Sequence, residues 1–347
     1  MTVIDTARRA LTLATDHIHT LPVLVLMPHS ACNCRCVMCD IWRANANRRE
    51  LAREDLAPHV DSIRRLGVRW VTLSGGEALM HSNLWMLCAL LREAGVRRIT
   101  VLSTGLLLAR HAEAVVRHSD EVIVSLDGSR EIHDAIRNVP RAYDRLAEGV
   151  AALRARAPGF RVTARCVVQQ RNYRDMPEIV RAAHALALDG VSFLAADVSS
   201  TAFNRPEPWG EARVADVALT PEDLPVFAAV LAGLARDFAA DFESKYIAES
   251  QEKLGHILRY YAALCGQGEL PQHRCNAPWV SAVVEADGAV RPCFFHPAYG
   301  HLGDAPLEQT LNSPAAVAFR RGLDVSADPI CRKCVCTLYL GPRADVG

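Results

Sequence analysis

The sequence predicts an α/β chain: a partial, open (β/α)6 TIM-like barrel of parallel strands, followed by a smaller cysteine-bearing region. Three observations carry this. Six short apolar runs alternate with helix-patterned stretches between residues 21 and 197. Such alternation implies parallel strands joined by right-handed crossovers, and six units fall short of the eight that close a barrel. Beyond residue 200 the alternation stops, and five cysteines gather at 275, 293, 331, 334 and 336.

The elements follow in order. Residues 1–20 read as an N-terminal helical segment. The strand runs are LPVLVLM (21–27), VRWVTLSGG (68–76), RRITVLSTG (97–105), EVIVSLDG (121–128), RVTARCVVQ (161–169) and GVSFLAAD (190–197). Between them the clearest helix spans Ser82 to Gly95, with Leu84, Leu87, Cys88 and Leu91 on one face and Gly95 as its stop. Pro206, Pro208 and Gly210 mark a loop. A helix is predicted from Pro221 towards Phe242, with Thr220 as N-cap and Glu222 and Asp223 in its first turn. A second covers Ile247 to Leu264, and residues 281–293 read as a hairpin turning at Asp287-Gly288. The implied domains are the barrel at 21–215, linking helices at 216–266 and the second cysteine region at 267–347.

Composition excludes several classes. Lys plus Arg and Asp plus Glu both number 39, so no basic surplus is present for nucleic-acid binding. The run Leu21–Met27 is far too short for a membrane span, which takes roughly 20 apolar residues. The opening MTVIDTARRA has no apolar stretch behind its basic residues and is not a secretory signal. The expected location is the cytoplasm. In a reducing compartment, clustered cysteines bind metal more often than they form disulfides.

Cys32, Cys36 and Cys39 form C-x3-C-x2-C directly after the first strand, with Cys34 as a spare thiol. One loop with this spacing can wrap a compact cluster. Electron-carrying iron–sulfur clusters usually have four cysteine ligands. Three leave one iron open, as catalytic zinc sites keep an open position. A zinc loop is the rival reading. In the second region Cys275, Cys293, Cys331 and Cys334 supply four thiolates, enough for a cluster or a tetrahedral zinc. Cys336 is a substitute for Cys334, and Cys265 at a helix end is set aside. Cys88 and Cys166 read as core thiols and His17 and His19 as surface residues, while His296 and His301 lie near the second cysteine loop, with simple exposure as the alternative. By strand parity Thr163, Arg165 and Gln169 face the barrel interior, which makes Arg165 a candidate substrate contact and the one candidate catalytic residue.

On these residues the chain resembles the radical S-adenosylmethionine (radical SAM) enzymes, over roughly 20–200 and beyond. The resemblance implies a 4Fe-4S cluster on Cys32, Cys36 and Cys39 whose open iron chelates S-adenosylmethionine. One electron then yields a 5′-deoxyadenosyl radical that abstracts hydrogen from substrate. It places Met38 near the adenine, and Ser74, Gly75, Gly76 and Glu77 at the methionine moiety and its ammonium. Ala78 stands where proline is frequent, and Ser103-Thr104-Gly105 where the family has Thr-Asn-Gly. Ser125 and Asp127 match Ser-x-Asp near the ribose and carboxylate. Arg137 would pair with the S-adenosylmethionine carboxylate, and Leu194 completes the cofactor contacts. The second cysteine set resembles the C-terminal SPASM/twitch extension. With Leu340 where a further cysteine is expected, it implies a single auxiliary 4Fe-4S cluster, two clusters in all. The substrate would lie between them. A small molecule (sugar, aminocyclitol or other natural-product intermediate) is preferred because the chain begins at the barrel. The alternatives are a peptide substrate or a non-enzymatic iron–sulfur or zinc protein. The resemblance also implies a flavodoxin- or ferredoxin-type electron donor, for which Arg35, Arg43, Arg48 and Arg49 offer a basic surface.

Overall fold

A computed structural model describes residues 3–346. Six parallel strands, β1 (Val23–His29), β2 (Trp70–Gly75), β3 (Arg98–Ser103), β4 (Glu121–Ser125), β5 (Arg161–Val168) and β6 (Val191–Ala195), lie side by side in chain order. They form an open sheet with helices between them. The buried positions of β5 (Val162, Ala164, Cys166 and Val168) face the helices, while Thr163, Arg165 and Val167 take the half-buried side towards the barrel interior. Cys88 is buried with Leu84, Leu87 and Leu91 on the helix Leu84–Glu93, and Gly95 follows it at φ +93°.

The sheet does not stop at the barrel. β7 (Ser281–Val284) pairs parallel to β1, with Val23 opposite Ser281 and Leu26 opposite Val284. β8 (Ala289–Arg291) returns antiparallel to β7, and β9 (Gly300–His301) continues. The hairpin expected around Asp287-Gly288 is therefore also a seventh parallel barrel strand. All four of its β7 residues are buried, as a strand covered on both faces requires.

The helix predicted from 221 to 242 is two helices, Asp223–Asp237 and Ala239–Glu243, broken at Phe238. Thr220 does not cap it. Its N–H and hydroxyl donate to the Asp223 carboxylate at 3.0 and 3.1 Å. The next helix starts at Gln251, with Ser250 accepting the Lys253 N–H at 3.2 Å. Ile247 instead bridges to Val191 at the β6 edge.

The N-terminal helix Val3–Thr15 leads into a segment that grips the C-terminal region. Ile18 and Asn312 exchange two hydrogen bonds of 2.7 and 3.0 Å. Trp279 donates to Asp16, and the buried Arg320 donates to the Asp16 carbonyl at 2.6 Å. Among the described residues no helix is long and apolar enough to cross a membrane.

Candidate iron–sulfur and S-adenosylmethionine site

The loop after β1 carries Cys32, Cys34, Cys36 and Cys39, and its path is fixed by backbone bonds. Arg35 and Val37 donate to the carbonyls of Arg137 and Ile136, each at 3.1 Å, at the end of the helix Arg130–Arg137. Asn45 clamps Cys32 from both sides: its Oδ1 accepts the Cys32 N–H and its Nδ2 donates to the Cys32 carbonyl, both at 2.9 Å. From below, the N–H groups of Gly76 and Glu77 donate to His29 and Ala31 at 3.2 and 2.9 Å. Gly75 sits at φ +100°, and a Cβ on Gly76 would come 2.0 Å from the Ala31 carbonyl oxygen. These glycines let β2 pass directly under the cysteine loop.

Two buried carboxylates organise the surroundings. Glu77 is fully buried and accepts from Leu79 N–H at 3.1 Å, Thr104 N–H at 2.6 Å and Ser103 hydroxyl at 3.0 Å. Burial pushes its carboxyl up, and these donors oppose the shift. Both oxygens thus hold the ends of β2 and β3 together. Thr104 in turn donates to Asn33 at 2.9 Å, tying β3 to the cysteine loop. Asp127, also fully buried, forms an ion pair with Arg137 and accepts the Val167 N–H at 2.9 Å. His133 accepts the Asp127 N–H on Nδ1. Burial and the neighbouring Arg137 push its pKa down to about 3.

Arg137 also points Nη1 at the Cys36 sulfur, 3.5 Å away. A hydrogen bond from Cys34 and the Arg137 charge, working against burial, bring the Cys36 thiol down, while burial pushes Cys39 up to about 12. A thiol whose pKa is lowered beside a buried guanidinium is suited to ligate metal as thiolate. Cys34 is raised by its hydrogen bonds to Cys32 and Cys36. Met38 is buried against this loop in one apolar cluster with Cys36, Ile136 and Val198. Ser74 and Ser125 are half-buried at strand ends.

The second set converges as well. Burial pushes Cys293 up to about 11, with Cys275 and Cys336 adding to it against the Phe295 and His296 N–H groups. Burial, then Asp328, then Cys293 and Cys275 push Cys331 up to about 12, and Cys334 feels Cys336, Cys275 and Cys293. Thiols so arranged ionise readily only with a cation among them, which fits a metal cluster. Asn276 secures this region, exchanging side-chain bonds of 2.8 and 2.9 Å with the Leu340 backbone. His296 is not a surface residue. It is 3% exposed, and its Nε2 lies 3.3 Å from the Cys331 sulfur. Phe295 and the ring of Phe319 help enclose it.

A cavity of about 460 Å³ opens between the two cysteine regions, lined by Gly75, Gly76, Phe203, Arg205, Arg291 and Phe295 among others. Arg205 was not singled out by sequence. It is buried, paired with Asp197 at 2.8 Å, stacked 3.8 Å over Trp209, and its charge favours the Cys39 thiolate. Its signal was an aromatic and basic loop after β6, which the prolines disguised. Asn33, Asn45 and Asn276 were missed likewise, although each lies within or beside a cysteine motif. Arg165 and Leu194 line a different, smaller cavity beside Cys334 and Cys336, so the structure separates them from the glycine turn.

Residues 26–183 match the model of the Radical SAM superfamily, and residues 275–335 match that of an iron-sulfur cluster-binding domain, SPASM. The chain is 30% identical over 161 residues to the Fe-coproporphyrin III synthase of Methanosarcina barkeri, covering 46% of this chain and 40% of that protein. It is 32% identical over 112 residues to the mycofactocin maturase MftC of Mycolicibacterium smegmatis, covering 31% of this chain and 28% of that protein. The chain therefore spans less than half the length of these curated relatives. Streptococcus suis SuiB bound to S-adenosylmethionine shares the fold at a TM-score of 0.64 and 14% identity, over 96% of this chain and 76% of that one. Native anSMEcpe with bound AdoMet does so at 0.65 and 19%, over 90% and 86%. The chain thus carries a radical SAM domain over residues 26–183 and a SPASM iron–sulfur domain over residues 275–335, and the two domains imply S-adenosylmethionine and 4Fe-4S clusters as cofactors.

Proposed function

We propose that the chain cleaves S-adenosylmethionine reductively and abstracts hydrogen from a small-molecule substrate. When bound, the cluster and S-adenosylmethionine supply the 5′-deoxyadenosyl radical for that step. Cys32, Cys36 and Cys39 would hold the first cluster, and Cys275, Cys293, Cys331 and Cys334 a single auxiliary cluster that aids electron transfer. The observation that carries the reading is the Asp127–Arg137–Cys36 chain of buried contacts. It fixes one ligand sulfur and keeps positive charge beside it where water is excluded. Glu77 and the glycines hold the loop rigidly above β2, as a preorganised site requires.

The cavity of about 460 Å³ has the size of small-molecule sites. Relatives named Fe-coproporphyrin III synthase, Pre-heme d1 synthase and GTP 3′,8-cyclase lend further support. A peptide substrate is the second reading. It is favoured by the maturase relative and by the fold shared with SuiB bound to its precursor peptide SuiA, at a TM-score of 0.60. The proposed location is the cytoplasm, with a flavodoxin or ferredoxin as electron donor. The test is anaerobic reconstitution followed by dithionite and S-adenosylmethionine. The expected product is 5′-deoxyadenosine, and Arg137→Gln lowers its rate about tenfold or more. A reducible cluster with no cleavage above background would instead mark an iron–sulfur sensor.

A further inference from the structure

The smaller cavity, about 140 Å³, lies where β5 and β6 meet the C-terminal segment. Arg165, Lys253, His256, His273 and Arg332 line it, with Cys334 and Cys336. These bases come from a barrel strand, a linking helix and both flanks of the auxiliary cysteines, so no single amphipathic pattern assembles them. Arg165 stands in register between Ser125 and Ser192. Its Nε donates to the Ser192 hydroxyl at 3.2 Å. Among the described residues its Nη groups have no hydrogen-bond partner, and none of the five bases joins an ion pair.

Three other arginines of the barrel and its loops are instead matched with acids. Arg205 pairs with Asp197, Arg137 with Asp127 and Arg98 with Glu121. The cavity lining includes one acid, Glu249. Its Oε2 accepts the Phe193 N–H at 2.8 Å; burial pushes its carboxyl up, against that bond and the nearby charges of Lys253 and Arg165. Three cations, Arg165, Lys253 and Arg332, thus face one acid around this concave site, and such an excess concentrates positive potential there. A guanidinium with free donors is the group that best matches the paired oxygens of a carboxylate or phosphate.

We propose that this cavity is an anion subsite that seats a carboxylate or phosphate group of the substrate against the auxiliary cysteines. Only the source of the anion rests on the enzyme reading. A rival use of the same bases is to offset the thiolate charge of the auxiliary cluster. The two differ in whether an anion still binds once that cluster is in place.

The experiment is anaerobic calorimetric titration of protein reconstituted with both clusters, using inorganic phosphate in one arm and succinate in the other. One of the two should bind saturably at one per chain, with a Kd near or below about 1 mM. Arg165→Gln and Lys253→Gln, checked for native circular dichroism, should each weaken it about tenfold. The electron-spin signal of the auxiliary cluster should shift on saturation. The arm that binds distinguishes phosphate from carboxylate. Saturable binding by neither anion, equal binding by the variants, or binding only after Cys275→Ala removes the auxiliary cluster would overturn the subsite. Formation of 5′-deoxyadenosine by the same wild-type preparation reports on the enzyme reading separately.

Discussion

Gly76 has no room for a methyl group. With an added Cβ 2.0 Å from the Ala31 carbonyl oxygen, backbone must move, because neither partner is the end of a flexible side chain. Gly76→Ala should destabilise the protein by about 1–3 kcal/mol and reduce the iron held after reconstitution; a thermal melt and an iron assay check both. His133 makes a pH prediction. Its folded pKa lies at about 3 against the ordinary 6.5, so between those values the unfolded chain binds a proton that the folded chain refuses. Stability therefore falls as pH drops through 6.5. The loss between pH 6.5 and 5.5 should be about 1 kcal/mol, read from denaturant midpoints, and His133→Asn should flatten it. At this scale the sequence was legible where a residue type is forced by chemistry. The cysteines, Gly76 and Glu77 stand out because few alternatives do their work. The partners of buried charges were not legible. The resemblance gave Arg137 a cofactor carboxylate, but its pairing with Asp127 and Cys36 depends on how a helix end meets a loop 100 residues earlier.

The six barrel strands were readable because a strand buried on both faces is a compact apolar run. Their ends moved by a few residues, where polar side chains turn towards the site. The break at Phe238 was not readable, since the apolar pattern runs through it. Nor was the pairing of β7 with β1, because a short run such as Ser281–Val284 says nothing about which edge it will join. Between elements, the Tyr261 hydroxyl makes the decisive link. It donates to the Val168 carbonyl at 2.6 Å and accepts the Ala196 N–H at 2.9 Å, closing the ends of β5 and β6. Tyr261→Phe removes both bonds, although the Ala196 N–H still meets the Val168 carbonyl at 3.2 Å, and should cost about 0.5–1.5 kcal/mol, seen as a lower melting temperature with the far-ultraviolet spectrum intact.

Over the whole molecule, the C-terminal cysteines come from segments at both ends of the six-stranded barrel sheet. Cys275 precedes β7 and Cys293 follows β8 on the β1 side, and Cys334 and Cys336 line the cavity beside β6. Two 4Fe-4S clusters predict about eight irons per chain. Cys275→Ala should lose about half of them while the S-adenosylmethionine-responsive signal of the first cluster persists, as iron analysis and electron-spin spectroscopy would record.

One consequence of the unbroken nine-stranded sheet concerns motion. Two modules joined by a flexible tether can swing apart to admit a guest. Here the polypeptide flanking one set of sulfurs is laced rung by rung to the polypeptide flanking the other, so the span between the two redox centres is set by the ladder itself. Were clusters seated on both sets, the gap an electron would cross would be fixed by the same rungs.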